Sequence, residues 1–270
     1  MPELPDLVYL EGALKKGLKN RTITGIEVKE PIIIRNLLGE PIEVIRGKEF
    51  SDVRRHGPFL VFEIGQDLRM IVHPMLAGAF SMEKKKGLVT IQMDEDVLTY
   101  LDNKKMGKIY FLKKDSESQV PRYLEQGVDI RSTEFTLEKF VSLIGASRRQ
   151  VRAFLMEQES LSAIGNAYAD EVLFDAGIHP KTFCYQLDAE QKQNLYASIN
   201  KVIQFGIEAV QKTPHELHEK VRGHMLVRNR KNEPCPRCGS MIRRENVLGY
   251  DTFFCPRCQP AQRKTFIDWK

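Results

Sequence analysis

Met1-Pro2-Glu3-Leu4-Pro5-Asp6 opens the chain, and Leu7, Leu10, Leu14 and Leu18 follow at helical spacing. The leucines predict an amphipathic helix whose apolar stripe enters a core, directly behind the chain terminus. Removal of Met1, favoured when a small residue follows, would leave Pro2 with a free secondary amine. A terminal amine has a pKa near 8, so a useful fraction is unprotonated and nucleophilic at neutral pH. Condensed with an aldehyde, a secondary amine gives a cationic iminium that withdraws electrons without needing a proton. Glu3, one residue on, is placed to act as a general acid or base at the same carbon. The same residues also suit an unstructured terminus that merely precedes a helix. The rest of the chain decides between the two.

Working outward, the pattern from Thr22 to about Lys114 turns to short β runs at 23–28, 32–34, 42–45, 59–64, 68–72, 88–93, 97–101 and 109–112. Gly39, Gly65 and the Asp94-Glu95-Asp96 triplet punctuate them as turns. Eight short strands behind one helix predict a β-sandwich or flattened barrel. Past Gly127 the period becomes helical. Helices are expected at 136–144 and 149–156, then from a cap at Asn166 to a stop at Gly177, then at 189–211. The fold class is therefore α+β, with domains expected at 1–131, 132–225 and 226–270.

The last of these holds Cys235-Pro236-Arg237-Cys238 and Cys255-Pro256-Arg257-Cys258. Two CxxC knuckles at this separation fit one tetrahedral Zn2+ in a ribbon, a closed structural site. Cys184 stands apart and reads as a buried, inert thiol. Composition is that of an ordinary soluble protein, 42% hydrophobic and 29% charged. No apolar run approaches the roughly 18 residues that cross a bilayer. The terminus lacks the basic and apolar blocks of a signal peptide, so a cytoplasmic protein is expected. The net charge is +5, but Arg222, Arg228, Arg230, Lys231, Arg237, Arg243, Arg244, Arg257, Arg263 and Lys264 crowd the C-terminal fifth. Such crowding suits phosphates, and equally a solvated basic face.

Four features in this order carry a resemblance: Met1-Pro2-Glu3-Leu4-Pro5, Ile164-Gly165-Asn166-Ala167-Tyr168-Ala169-Asp170-Glu171, Ala176-Gly177-Ile178-His179-Pro180, and the four-cysteine finger. Together they resemble the formamidopyrimidine-DNA glycosylase and endonuclease VIII family of base-excision repair enzymes, over essentially the whole chain. The resemblance implies an N-terminal β-sandwich with a leading helix, a helix–two-turns–helix domain and a zinc finger. Double-stranded DNA containing damaged bases or abasic sites would lie in a cleft, bound by a monomer. Pro2 would attack C1′ of the damaged nucleotide, and Glu3 would assist sugar opening and proton transfer. The target base would have to be flipped out of the stack.

By the same resemblance His73 and Asn166 would contact phosphates, and Leu76, Lys104 and Met106 would fill the hole left by the everted base. Taken alone, His73 is equally a core histidine, Asn166 a helix cap, Leu76 a core residue and Lys104-Lys105 an exposed turn. The chain also departs from the family. Its lysine on an early strand loop aligns with Pro58, and the arginine at the tip of the zinc hairpin aligns with Tyr250. Arg54, Arg55, Arg243 and Arg244 are the cations nearest in sequence that could substitute. The stretch 212–222, where relatives that excise oxidised guanine carry a glycine-bearing lid, is short and reads as a helical turn around Pro214, Glu216, Leu217 and Val221. A glycosylase with abasic-site lyase activity is therefore expected, acting on oxidised pyrimidines, ring-opened bases or abasic sites rather than oxidised guanine. Its rivals are a damage-binding protein that has lost catalysis and a zinc-ribbon adaptor, the latter leaving the N-terminal motif unexplained.

Overall fold

The structure, a computed structural model, describes residues 2–261; Met1, Arg263 and Lys264 lie outside them. The chain forms two compact units, Met1–Gln126 with Gly206–Arg222, and Gly127–Phe205 with Gly223–Lys270.

In the first unit, helix α1 (Leu4–Leu18) begins with Pro5 in its first turn, where a missing N–H costs nothing. Leu4, Leu7, Leu14 and Leu18 are fully buried, as the leucine spacing requires. Behind it come β1 (Ile23–Val28), β2 (Ile34–Asn36), β3 (Phe50–His56), β4 (Phe59–Ile64), β5 (Leu68–His73), β6 (Ala79–Ser81), β7 (Val89–Met93), β8 (Val97–Leu101) and β9 (Lys108–Lys113). They make a four-stranded sheet, β1-β7-β8-β6, and a five-stranded sheet, β2-β9-β5-β4-β3. The two form a β-sandwich, with Phe62 of β4 meeting Phe80 of β6 at 5.8 Å between ring centroids.

Two expected strands are turns instead. Residues Pro31–Ile33 and Ile42–Ile45 are 3-10 turns, and only Ile34 of the first run enters a strand. Pro31 and Pro41 stand at their starts and fix the backbone in a turn-forming conformation, which outweighs the β-branched side chains. Conversely, β3 and β6 escape the sequence pattern. Strand β3 is an edge strand of sequence Phe-Ser-Asp-Val-Arg-Arg-His, and charges on an edge blunt the alternating signal.

The second unit contains α2 (Leu137–Ala146), α3 (Val151–Leu155), α4 (Asn166–Asp175) and the first part of α5 (Ala189–Lys212), followed by the hairpin of β10 (Arg243–Val247) and β11 (Tyr250–Phe254). Thr136 caps α2 by accepting a hydrogen bond from the Lys139 N–H. Gly177 ends α4 with φ +68°, the left-handed stop that its position predicts. Asn166 is not the cap of α4: Gly165 occupies that place and Asn166 is the first helical residue. Cys184 is fully buried, and burial pushes its thiol pKa up, away from reactivity.

The two acids that end the Ile164–Glu171 motif tie α4 to the segment leading into the finger. Glu171 accepts backbone N–H bonds from Leu226, Val227 and Arg228 at 2.8 to 2.9 Å. Asp170 accepts from Arg152 Nε at 2.9 Å, Arg228 Nη1 at 2.7 Å and the Phe253 N–H at 3.1 Å. The side chains of Arg152 and Asp170 are 2% and 0% exposed, so neither can turn to water if the other is lost. Asp170→Ala should therefore destabilise the protein by about 3–5 kcal/mol, the usual loss when one member of a buried ion pair is removed. Denaturant unfolding measures it. A loss under about 1 kcal/mol would mean the cluster is not what holds α4 to the finger.

Candidate active site and nucleic-acid interface

The N-terminal residues are buried. Pro2 is buried, and Glu3 is 5% exposed at the cap of α1. An unstructured terminus is thereby excluded. The Glu3 backbone N–H donates to Asp6 Oδ2 at 2.8 Å. Arg222 clamps the same carboxylate with both terminal nitrogens, at 2.7 and 2.6 Å. Its place in the basic cluster suggests a phosphate contact, whereas the structure gives it to Asp6.

Pro2 also lines a cavity of about 20 Å³, shared with Asp6, Tyr9, Ala79, His215 and His218. That is room for one or two waters. One wall is the connector from Thr213 to Arg222, which is not the helical turn its sequence suggests. Pro214 ends α5, and a single turn, closed by the Glu219 N–H on the Glu216 carbonyl, is the only regular feature within it. The connector is nonetheless fastened to α1. Tyr9 donates its hydroxyl to the His215 carbonyl at 3.0 Å, and the two rings lie 4.1 Å apart.

His73 ends β5, half-buried, with its ring perpendicular to that of Phe59 at 4.7 Å between centroids. Its Nδ1 accepts the Met75 N–H at 3.0 Å, leaving Nε2 as the N–H donor of a neutral ring. Burial pushes its pKa down to about 4, so at neutral pH it offers a hydrogen bond and no charge.

Leu76 is 50% exposed and Met106 is 37% exposed, so neither is a core residue. Their loops meet at Tyr100, a residue that no sequence pattern singles out. A Cβ on Gly78 would stand 2.2 Å from the Tyr100 hydroxyl, and one on Gly107 would stand 1.8 Å from it. Only glycine fits on either side of that oxygen. Asp102 shapes the second loop by accepting the Lys104 N–H at 3.0 Å and the Gly107 N–H at 2.7 Å. Lys104 is exposed beside Met106, while Lys105 is paired with Glu30. An apolar, cationic, apolar set is therefore displayed from two loops of one unit.

In the second unit Asn166 is half-buried, and its Oδ1 accepts a hydrogen bond from Arg152 Nη2 at 3.0 Å. That bond fixes which end of the amide is the acceptor and leaves the NH2 end as the donor. Gln158 organises the preceding turns, donating to the Met156 and Ile164 carbonyls and accepting the Ala163 N–H at 2.7 Å. Neither Arg152 nor Gln158 is evident from sequence, because each acts across a loop rather than within a periodic pattern.

The thiols of Cys235, Cys238, Cys255 and Cys258 lie within 4.8 Å of one another. The Cys235–Cys258 and Cys238–Cys255 separations are 3.8 and 3.5 Å. Sulfurs at about 2.3 Å from a tetrahedral zinc stand about 3.8 Å apart, so the set fits one Zn2+. Four thiolates leave no open position, and the metal is structural. Pro58 and Tyr250 cannot supply the cations of the family pattern. Pro58 is buried in the β3–β4 turn, and Tyr250, 49% exposed, follows Leu248 and Gly249 at the tip of the finger hairpin. Of the candidate substitutes, Arg54 is bound to Glu63, Arg55 to the Gly57 carbonyl and Arg244 to Asp251. Tyr250→Arg should steepen the salt dependence of DNA binding by about one unit of log–log slope. A fluorescence titration over a range of salt concentrations measures it; an unchanged slope would mean that the tip does not face the backbone.

Comparison with known proteins agrees with this geometry. Residues 1–109 match the formamidopyrimidine-DNA glycosylase N-terminal domain, 126–216 its H2TH domain, and 232–261 the zinc finger found in FPG and IleRS. The chain is 30% identical to the formamidopyrimidine-DNA glycosylase of Cytobacillus firmus over 281 residues, covering 96% of this chain and all of that one. It is 29% identical to the Bacillus subtilis enzyme, with 96% and 99% covered. Among solved structures, the MutM (Fpg) protein of Thermus thermophilus superposes with a TM-score of 0.86 at 25% identity, covering 97% of this chain and all of that one. Lactococcus lactis Fpg, solved with DNA containing an abasic site, superposes at 0.85 with 28% identity, covering 96% and 100%. With relatives matched from end to end, the chain belongs to the formamidopyrimidine-DNA glycosylase family, whose members are bifunctional DNA glycosylases and abasic-site lyases of base-excision repair.

Proposed function

We propose that this glycosylase and abasic-site lyase works through Pro2 and prefers oxidised pyrimidines, ring-opened bases and abasic sites over oxidised guanine. With Met1 removed, the Pro2 nitrogen attacks C1′. The glycosidic bond breaks, and the base leaves with its electron pair. The nitrogen then loses its proton and forms the iminium as the C1′–O4′ bond opens, with Glu3 delivering a proton to O4′. The iminium acidifies the C2′ protons. Loss of one expels the 3′ phosphate, and a second elimination expels the 5′ phosphate. His73 and Asn166 donate hydrogen bonds to phosphates, while Leu76, Met106 and Lys104 occupy the gap left by the everted nucleotide.

The observation that carries the lesion preference is the make-up of the wall beside Pro2, a connector fastened to α1 through Tyr9 and His215. The wall, residues 213–222, holds no glycine and does not have the make-up of a glycine-bearing lid that closes over a purine. The same wall favours a second reading, lyase action on preformed abasic sites with little base release of any kind. A panel of duplexes, each with one lesion, separates these. Abasic DNA and oxidised pyrimidines should be cleaved at least tenfold faster than oxidised guanine opposite cytosine. Cleavage of abasic DNA alone would select the second reading. Efficient, selective release of oxidised guanine would contradict both.

A further inference from the structure

Asp6 and Arg222 form a contact that the covalent chemistry does not use. Asp6 is 6% exposed and receives both the Glu3 N–H and the two Arg222 nitrogens. The Glu3 nitrogen is one residue from the Pro2 nitrogen. Standard bond lengths and the 2.8 Å hydrogen bond therefore bring the Asp6 carboxylate within about 6.5 Å of the Pro2 amine. A lone carboxylate at that distance, screened from water, favours the protonated amine, and a protonated amine is no nucleophile. Arg222 places an opposite charge on the same two oxygens. The amine then faces a neutral pair, while the carboxylate keeps its hold on the Glu3 peptide.

We propose that Arg222 is a positioning residue that cancels the charge of Asp6, so that the Pro2 amine stays unprotonated near neutral pH. The proposal rests on Pro2 as the nucleophile. Other ionisable groups face the same end of the unit. The start of α1 contributes Glu3 and Tyr9, and the end of β5 contributes His73, which burial keeps neutral. The connector contributes His215, His218, Glu219 and Lys220. Glu219 and Lys220 are adjacent, exposed and opposite in sign. All of these groups are common to the wild type and the variants below, so their titration cancels from the comparison.

The test is the rate of borohydride trapping on a duplex with a preformed abasic site, between pH 5.5 and 9.5. It uses full-length, zinc-loaded protein whose loss of Met1 is verified by mass. R222Q should move the midpoint of the pH profile up by about one unit, so that trapping falls about tenfold at pH values well below the midpoint, less at pH 7, and recovers at the alkaline plateau. D6N/R222Q should return the midpoint to the wild-type value, because the charge that needed cancelling has gone. R222K keeps the charge without the forked geometry and should leave the midpoint in place; it also decides the matter if R222Q does not fold. An R222Q loss that is equal at every pH, a double variant no better than R222Q, or an R222K shift matching that of R222Q would each overturn the proposal. Absence of any wild-type adduct would instead refute the Pro2 reading beneath it.

Discussion

A chain terminus is ordinarily the most mobile part of a protein, so using its amine as a reagent requires that the end be held still. Ordering each backbone residue costs about 1–2 kcal/mol in conformational entropy. Here the offset comes from the helix behind the terminus. Leu4, Leu7, Leu14 and Leu18 are fully buried, and burial of each such side chain contributes about 1.5–3 kcal/mol. Helix α1 is thus anchored by its apolar face, and the residues before it inherit the anchor. The Glu3 peptide is then fixed by Asp6, and Asp6 by Arg222. Without that chain of contacts the amine would sample many positions, and proximity to C1′ would be lost with them.

The second unit solves a related problem with different chemistry. The segment leading into the finger has no regular secondary structure, so its backbone N–H groups need partners from elsewhere. Glu171 supplies them for three consecutive residues. Asp170 holds Arg152, and Arg152 in turn orients Asn166. The conspicuous acids of the motif are therefore structural. The apolar cluster of Phe174, Val227, Ile242 and Phe253 packs around Cys235 and Cys255, so zinc strengthens a core too small to stand alone.

Much of this is legible in the sequence, and the failures have physical causes. Helix α1, the finger and the stop at Gly177 are readable because one local pattern determines each: leucine spacing, knuckle spacing and a left-handed glycine. Strand β3 is not, because an edge strand carries charges where the pattern expects apolar residues. The runs after Pro31 and Pro41 mislead because proline geometry overrides side-chain preference. Asn166 differs from its expected place as a cap by a single position, since the side chain it binds lies fourteen residues away. Tyr100, Arg152, Gln158 and the Asp6–Arg222 pair escape altogether. Each acts between segments that are distant in sequence, where no period or spacing records the contact.

The central question is which nitrogen becomes covalently bound to the sugar. Borohydride reduction on abasic DNA, followed by nuclease trimming, proteolysis and mass spectrometry of the linked peptide, measures this directly. The expected result is one adduct on the N-terminal peptide, at Pro2, formed only by chains that have lost Met1. An adduct on a lysine, or an adduct formed equally by chains retaining Met1, would contradict a mechanism through the terminal amine.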